Sequence, residues 1–206
     1  MPDPRPCRRK MFRPKPTGDE PAALEHLQVI RDTMERSSSF TAVPGWGFCA
    51  MGVTALIAAP IALRQATADG WLAVWLGESI VAATIALITM HQKATRLGTQ
   101  LLSISGRRLF IGLLPALAAG GLLTVALMWS GPLRLIPGVW LVLYGVAVMQ
   151  AGAFSVRTVP AMGGAFVVTG AVALPLPWIW ANVVLAAAFG LLHIVFGILI
   201  ARRHGG

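Results

Sequence analysis

Charged residues are scarce in this sequence of 206 residues. Lysine, arginine, aspartate and glutamate together make up 12% of it, whereas hydrophobic residues make up 56%. A soluble globular domain carries about 25% charged residues, so the composition excludes an ordinary soluble domain. The mean hydropathy of +0.70 instead favours a protein built to lie in lipid.

Cysteine is also rare, and the two cysteines are far apart in sequence. Cys7 lies in a polar tail and Cys49 in an apolar run, with no CxxC pair for metal or redox chemistry. This excludes a disulfide scaffold. We interpret Cys49 as a small buried residue, and Cys7, among arginines, is a weak candidate for acylation.

Motifs of catalysis are lacking as well. The sequence contains no HExxH, no phosphate-binding glycine loop, no nucleophile–base pair and no carboxylate dyad. We therefore predict that the protein is not an enzyme, with no catalytic residue, no cofactor and no metal site.

Long apolar runs are what the sequence does contain. Crossing the hydrocarbon core takes about 17 to 25 apolar residues in a helix. Six runs suit that length, at 43–63, 71–90, 109–129, 133–154, 159–176 and 178–200. The predicted fold class is an all-α integral membrane bundle of six transmembrane helices, occupying 43–201 and followed by a tail at 202–206.

The N-terminal region differs from the rest of the chain. Residues 1–20 are rich in proline and basic residues, so we predict a disordered tail. Residues 21–42 are predicted to form a cytoplasmic amphipathic helix and an elbow, because Leu24, Leu27, Ile30 and Met34 share one helical face. This helix could lie on the membrane or, over 21–36, contact a soluble protein partner.

The basic residues predict the orientation. Fifteen of the 17 lysines and arginines fall on one side of the six runs, and only Arg64 and Arg134 fall on the other. The positive-inside rule then places both termini in the cytoplasm. We therefore interpret the net charge of +9 as a topology signal and predict no nucleic-acid partner. Six tryptophans near the opposite ends predict an aromatic belt there: Trp71, Trp75, Trp129, Trp140, Trp178 and Trp180.

Few polar side chains lie within the predicted spans, and such groups are functional candidates by default. They are Glu78, Gln150, Asn182 and His193. Counting residues from the span ends places Glu78 about 10 Å below the outer boundary, near Asn182. His193 and Gln150 share a deeper level, at about 22 Å. For His193, a neutral imidazole bonded to Gln150 or to a backbone carbonyl, a proton-handling group and a ligand-binding group all remain open.

Small residues recur at helical spacing and predict tight helix packing without a wide lumen. The predicted stripes are Gly112, Ala116 and Gly120 in span three, Ala165, Thr169 and Ala173 in span five, and Gly190, Gly197 and Ala201 in span six.

One stretch resembles a known family. The sequence MERSSSFTAVPGWGFCAMGVTALIAA, from Met34 to Ala59, is similar to a family of bacterial six-span inner-membrane proteins that carry an SFTAVPGWG-like motif before the first span. The family has no assigned activity. The resemblance therefore implies a bacterial inner-membrane location and a six-span fold, and it implies no chemistry.

Two functional hypotheses follow. The first is a multi-pass inner-membrane protein without a catalytic site, which acts through homo-oligomeric assembly or through a cytoplasmic partner at 21–36. The alternative is a small-solute or proton-coupled transporter that uses Glu78, Asn182, Gln150 and His193. Convergence of these four side chains on one cavity would favour the transporter.

Overall fold

The fold was taken from a computed structural model of the protein. It describes residues 25–27, 30, 42–98, 104–153 and 155–204. Residues 25–27 and 30 are helical and belong to a separate unit of the chain. The tail at 1–20 and the remainder of the predicted amphipathic helix lie outside the described residues.

The main unit is a set of apolar helices joined by short connections. The helices are α1 (Gly45–Leu63), α2 (Ala68–Arg96), α3 (Ile104–Ser130), α4 (Ile136–Gly152), α5 (Thr158–Ala173), α6 (Ala181–Leu185) and α7 (His193–His204). A π-helical segment, Ala186–Leu192, joins α6 to α7. Together with the 3₁₀ turn Trp178–Trp180 they form one continuous composite helix.

Five of these helical runs are long and apolar enough to cross a membrane. They are Gly45–Leu63, Ala68–Arg96, Gly106–Trp129, Leu133–Gly152 and Trp178–Arg203. The sixth, α5, has 16 residues, which is about 24 Å of helix against a hydrocarbon core of about 30 Å. The structure thus confirms an all-helical protein with five potential spans, and a sixth span at α5 stays a prediction.

Local sequence explains where the helices begin. α1 follows Pro44, which has an extended backbone. The side chain of Thr67 caps α2 by accepting a hydrogen bond from the Gly70 amide, with Asp69 in the first turn and Arg96 in the last. These charges oppose the partial charges of the helix ends and stabilise α2.

The helices pack as two groups. In one, α1 lies between α2 and the composite helix; in the other, α4 lies between α3 and α5. Glycines allow the backbones to approach closely within each group. A Cβ atom added to Gly45 would lie 2.6 Å from the Gly197 carbonyl oxygen, and one added to Gly145 would lie 2.6 Å from the Gly163 carbonyl oxygen.

The small residues of the composite helix and of α5 both lie at helix contacts. Gly190 and Gly197 of the predicted stripe contact α1. In α5, Gly163 and Gly170, which lie outside the predicted stripe, approach the α4 backbone closely. Of the stripe itself, Ala173 is buried and Ala165 and Thr169 are half-buried. In the stripe of Gly112, Ala116 and Gly120, Gly112 contacts α4. A Cβ added to Gly112 would lie 3.3 Å from the Ala151 amide nitrogen.

The predicted aromatic belt requires a correction. Trp71 and Trp75 are 5% and 3% exposed, so they lie inside the bundle. Trp71 stacks on Trp140 with ring centroids 6.0 Å apart. Of the six predicted belt residues, Trp129, Trp178 and Trp180 present large exposed surfaces. Trp71 and Trp75 are buried and Trp140 is half-buried, and their indole N–H groups have hydrogen-bond partners within the protein.

Candidate functional site

Glu78 pairs with a residue in the middle of α1. Its Oε1 is 2.8 Å from the hydroxyl oxygen of Thr54, and Thr54 stands at the midpoint of α1. The 29 residues of α2 make about 43 Å of helix, more than the hydrocarbon core of about 30 Å, so the start of α2 does not mark a membrane boundary. The carboxyl is level with the midpoint of α1, which is mid-membrane depth where α1 crosses a membrane.

A groove between α1 and α2 surrounds this carboxyl. Apart from Glu78 and Thr54, its lining is apolar. The lining residues are Thr54, Ile57, Ala58, Ile61, Val74, Glu78 and Val81. Ile57, Ile61 and Val81 are each about half exposed, so the groove opens on the outer surface of the helices and not into their centre. Glu78 itself is partly exposed. The site thus lies on the outward face of the α1–α2 pair.

Asn182 occupies a different place, at the start of the composite helix. Its Oδ1 accepts hydrogen bonds from the indole N–H of Trp71 at 2.7 Å and from that of Trp75 at 3.1 Å. Trp178 packs on Trp71 with ring centroids 4.6 Å apart. We call Asn182, Trp71, Trp75, Trp140 and Trp178 the tryptophan cluster. It ties α2 and α4 to the beginning of the composite helix.

His193 is buried where the two helix groups meet. Its Nδ1 is 2.9 Å from the Phe189 carbonyl oxygen, and its Nε2 is 2.7 Å from the Tyr144 hydroxyl. A carbonyl can only accept, so Nδ1 carries the ring proton. In the neutral ring Nε2 is then the acceptor, and Tyr144 donates to it. The imidazole is therefore held as one tautomer with both nitrogens bonded.

Aromatic rings enclose this pair. The ring centroid of His193 lies 5.1 Å from that of Phe166, 5.8 Å from that of Phe48 and 6.0 Å from that of Phe189. Only 2% of His193 is exposed. We call His193, Tyr144, Phe48, Phe166 and Phe189 the aromatic seam. It joins α1, α4, α5 and the composite helix, and it leaves the imidazole sealed from solvent.

The π-helical segment explains how His193 reaches this position. A π turn widens the helix locally and is frequent at functional sites. Here it ends directly before His193 and contains Phe189, the residue whose carbonyl binds the imidazole. The irregular turn therefore positions Phe189 and His193, the two residues that the composite helix contributes to the aromatic seam.

Gln150 lies on the other side of α4. Its side chain is exposed and it neighbours Gly112 of α3. Tyr144 of the same helix reaches His193 in its place. The predicted bond between Gln150 and His193 is therefore wrong, whereas the predicted backbone carbonyl partner is correct.

The four candidate side chains thus lie in separate places and do not converge on one cavity. Glu78 pairs with Thr54 and Asn182 with two indoles, so the predicted Glu78–Asn182 pairing is also wrong. α1 stands between Glu78 and His193: Thr54 faces α2, while Gly52, two residues earlier and about 200° around the helix, faces Gly190.

Sequence reasoning missed two partners, Thr54 and Tyr144. A threonine hydroxyl in a helix commonly bonds its own backbone, so Thr54 carries little signal by itself. Tyr144 carries more, because it is the chain's single tyrosine and falls inside an apolar run. A buried phenol needs a hydrogen-bond partner, and His193 is one of few groups able to provide it.

The buried polar side-chain atoms within the described ranges all have hydrogen-bond partners. No buried side-chain nitrogen or oxygen there lacks a hydrogen-bond partner. The same residues contain no group of three or more His, Cys, Asp or Glu able to hold a metal ion. The arrangement defines an all-helical, membrane-type protein with a satisfied interior and one carboxyl in an outward-facing groove.

Comparison with protein-family models, with curated proteins and with solved structures finds no match to this chain.

Proposed function

We propose that the protein is a six-span protein of the bacterial inner membrane that acts through assembly and partner contacts and has no catalytic role. One observation carries this proposal: the unequal burial of its spans. Half of the residues in the most apolar window of Leu133–Gly152 are buried, compared with 6% in Ala68–Arg96. The middle of α2, between its buried ends, therefore offers its outward side to other molecules in the bilayer.

The outward side of α2 suits a second copy of the chain. Gly77 has no atom within 4 Å of an added Cβ, and Ile80 and Thr84 on the same side are exposed. Small and hydroxyl-bearing residues let helices approach closely in lipid. At 100° per residue the mean direction of this side lies about 95° around α2 from that of the groove residues Val74, Glu78 and Val81. Dimerisation centred on Ile80 would therefore be adjacent to the groove and not over it.

The orientation in this proposal comes from the charges. In a six-span arrangement Arg96 at the end of α2, Arg107 and Arg108 at the start of α3, and Arg157 would all fall on the side of both termini, whereas the connection after α1 carries only Arg64. This distribution supports cytoplasmic termini and α5 as a sixth span. A soluble partner at 21–36 would then meet the protein on the cytoplasmic side.

Cysteine cross-linking tests the assembly. In a background with Cys7→Ser and Cys49→Ala, we expect Ile80→Cys to form a covalent dimer in native membranes under mild oxidation. The matched control is Leu122→Cys, an equally exposed position on α3, which should stay monomeric. A monomeric mass by light scattering in nanodiscs, together with no Ile80→Cys dimer, would refute assembly through α2.

A deletion tests the cytoplasmic contact. Removing residues 21–36 should abolish co-purification of a partner protein and leave the helical content of the membrane unit unchanged. Co-purification that survives the deletion would refute a contact at these residues.

A further inference from the structure

The groove between α1 and α2 contains a carboxyl for which the assembly proposal has no use. Glu78 stands at mid-membrane depth among the apolar side chains of Ile57, Ile61, Val74 and Val81. An ionisable group at this depth is costly to retain. Its Oε1 is paired with Thr54, and within the described part of the chain no hydrogen bond to Oε2 is found.

The hydroxyl of Thr54 allows two arrangements of protons. Its oxygen is 2.9 Å from the Met51 carbonyl oxygen and 2.8 Å from Oε1 of Glu78, but it has only one proton to donate. If Thr54 donates to Met51, a neutral Glu78 acid donates to Thr54. If Glu78 is a carboxylate, Thr54 turns and donates to it. Both states keep a hydrogen bond between the two side chains, so Glu78 can gain or lose a proton in place.

We propose that this groove binds a primary alkylamine that enters from the bilayer, with Glu78 as its counter-ion. The neutral amine enters with its alkyl chain along Ile57, Ile61 and Val74. The Glu78 O–H bond breaks and an N–H bond forms, which gives a carboxylate and an alkylammonium. Thr54 then donates to Oε1, and the ammonium donates to Oε2. No charge crosses the hydrocarbon unpaired.

Charge and depth select this occupant over others. A lipid acyl chain would fill the apolar lining but offers nothing to the carboxyl. The ammonium of a phospholipid headgroup stays at the interface, about 15 Å from mid-membrane depth. A single-chain amine has the small cationic head that a lone carboxylate complements, and burying the two charges as a pair avoids the cost of an isolated ion. The inference stands independently of assembly through the side of α2 that carries Ile80.

Carbodiimide protection tests the proposal on the full chain in nanodiscs. Dicyclohexylcarbodiimide is apolar and modifies protonated carboxyls in apolar surroundings, and intact-mass spectrometry reports the product. We expect Glu78 to form the N-acylurea, and dodecylamine to slow its formation about tenfold or more; an amide formed by attack of the amine on the activated carboxyl, with loss of dicyclohexylurea, has a different mass and is counted separately. Dodecanol, which matches the chain but not the charge, should leave the rate unchanged.

Matched variants separate the groove from the rest of α2. Glu78→Gln should lose both modification and dodecylamine binding, and Asp69→Asn, the other carboxyl of α2, should lose neither. Thr54→Val should weaken protection, whereas Thr84→Val, whose hydroxyl bonds only the Ile80 carbonyl, should retain it. Helical content by circular dichroism checks that each variant is folded.

Three outcomes would overturn the proposal. They are protection by dodecanol equal to that by dodecylamine, undiminished dodecylamine binding to Glu78→Gln, and a Glu78 that does not react with the carbodiimide in the absence of amine. Only the Ile80→Cys experiment bears on the assembly proposal, so the two proposals fail separately.

Discussion

Two kinds of interface hold this protein together, and they differ in what they demand of the sequence. Within each helix group, glycines bring backbones into contact: Gly45 against Gly197, and Gly145 against Gly163. Between the groups, the aromatic seam and the Trp71–Trp140 stack fill the space with large rings, and the hydrogen bond between Tyr144 and His193 crosses from one group to the other. Lipid provides no hydrophobic drive between helices, so the first kind depends on close packing and the second on ring contacts and satisfied polar atoms.

The two kinds of interface differ in how well they accommodate a substitution. A glycine contact cannot accommodate an added methyl group, because a backbone atom lies against the glycine and cannot rotate away. A hydrogen bond in the seam contributes only about 0.6 kcal/mol on average within membranes, although it reaches about 1.7 kcal/mol. We therefore expect glycine substitutions to have larger effects than removal of the polar pairs.

The largest expected effect is at the α4–α5 contact. In Gly163→Ala the new Cβ would lie 2.6 Å from the Gly145 carbonyl oxygen and 2.7 Å from the Met149 amide. Overpacking of this kind costs about 1–3 kcal/mol. Unfolding by sodium dodecyl sulfate in mixed micelles, followed by circular dichroism, should show that loss.

The adjacent glycine provides the control for this substitution. Gly164 has no atom within 4 Å of an added Cβ, so Gly164→Ala should be neutral or stabilise the helix by up to about 1 kcal/mol. Equal effects of the two substitutions would contradict a glycine-dependent contact.

A smaller effect is expected in the tryptophan cluster. Asn182→Leu removes the acceptor shared by the indoles of Trp71 and Trp75, and two buried donors then lack a partner. We expect a loss of about 1–2 kcal/mol and a change in tryptophan emission. Gln150→Leu removes an amide of an exposed side chain and should cost nothing measurable. If it costs as much as Asn182→Leu, the cluster does not depend on its hydrogen bonds.

The smallest effect is the coupling between Tyr144 and His193. Tyr144→Phe leaves Nε2 of His193 without a donor, whereas Tyr144→Phe with His193→Phe removes both partners. The double-mutant cycle should give a coupling energy of about 0.6–1.7 kcal/mol. Tyr144→Phe combined with Asn182→Leu should be additive, since the two sites share no partner. A coupling energy of zero would show that the 2.7 Å contact adds nothing to stability.

Sequence patterns located the apolar helices well and the contacts between them poorly. Predicted spans and observed helices agree closely for Gly45–Leu63 and for the composite helix, because the length of an apolar run is a local property. Which face of a helix is buried is not local. In α5, Gly163 and Gly170 approach α4 closely although they lie outside the predicted stripe of Ala165, Thr169 and Ala173.

The predicted partner of Glu78 was wrong for a similar reason. The indole N–H groups of Trp71 and Trp75 bind Asn182 inside the tryptophan cluster. Glu78 pairs with Thr54 instead. A tryptophan can satisfy its N–H at an interface or on a buried amide, and the sequence does not distinguish the two.

Apolar helices, scarce charge, clustered basic residues and four polar groups within apolar runs follow from composition and from order along the chain. The separation of those polar groups follows from helix packing, which buries His193 against Tyr144 and leaves Glu78 in an outward-facing groove. A side chain's surroundings depend on the rotation of its helix and on neighbours that are distant in sequence. Because lipid does not favour burying any particular face of an apolar helix, close packing between helices sets both the rotation and the neighbours.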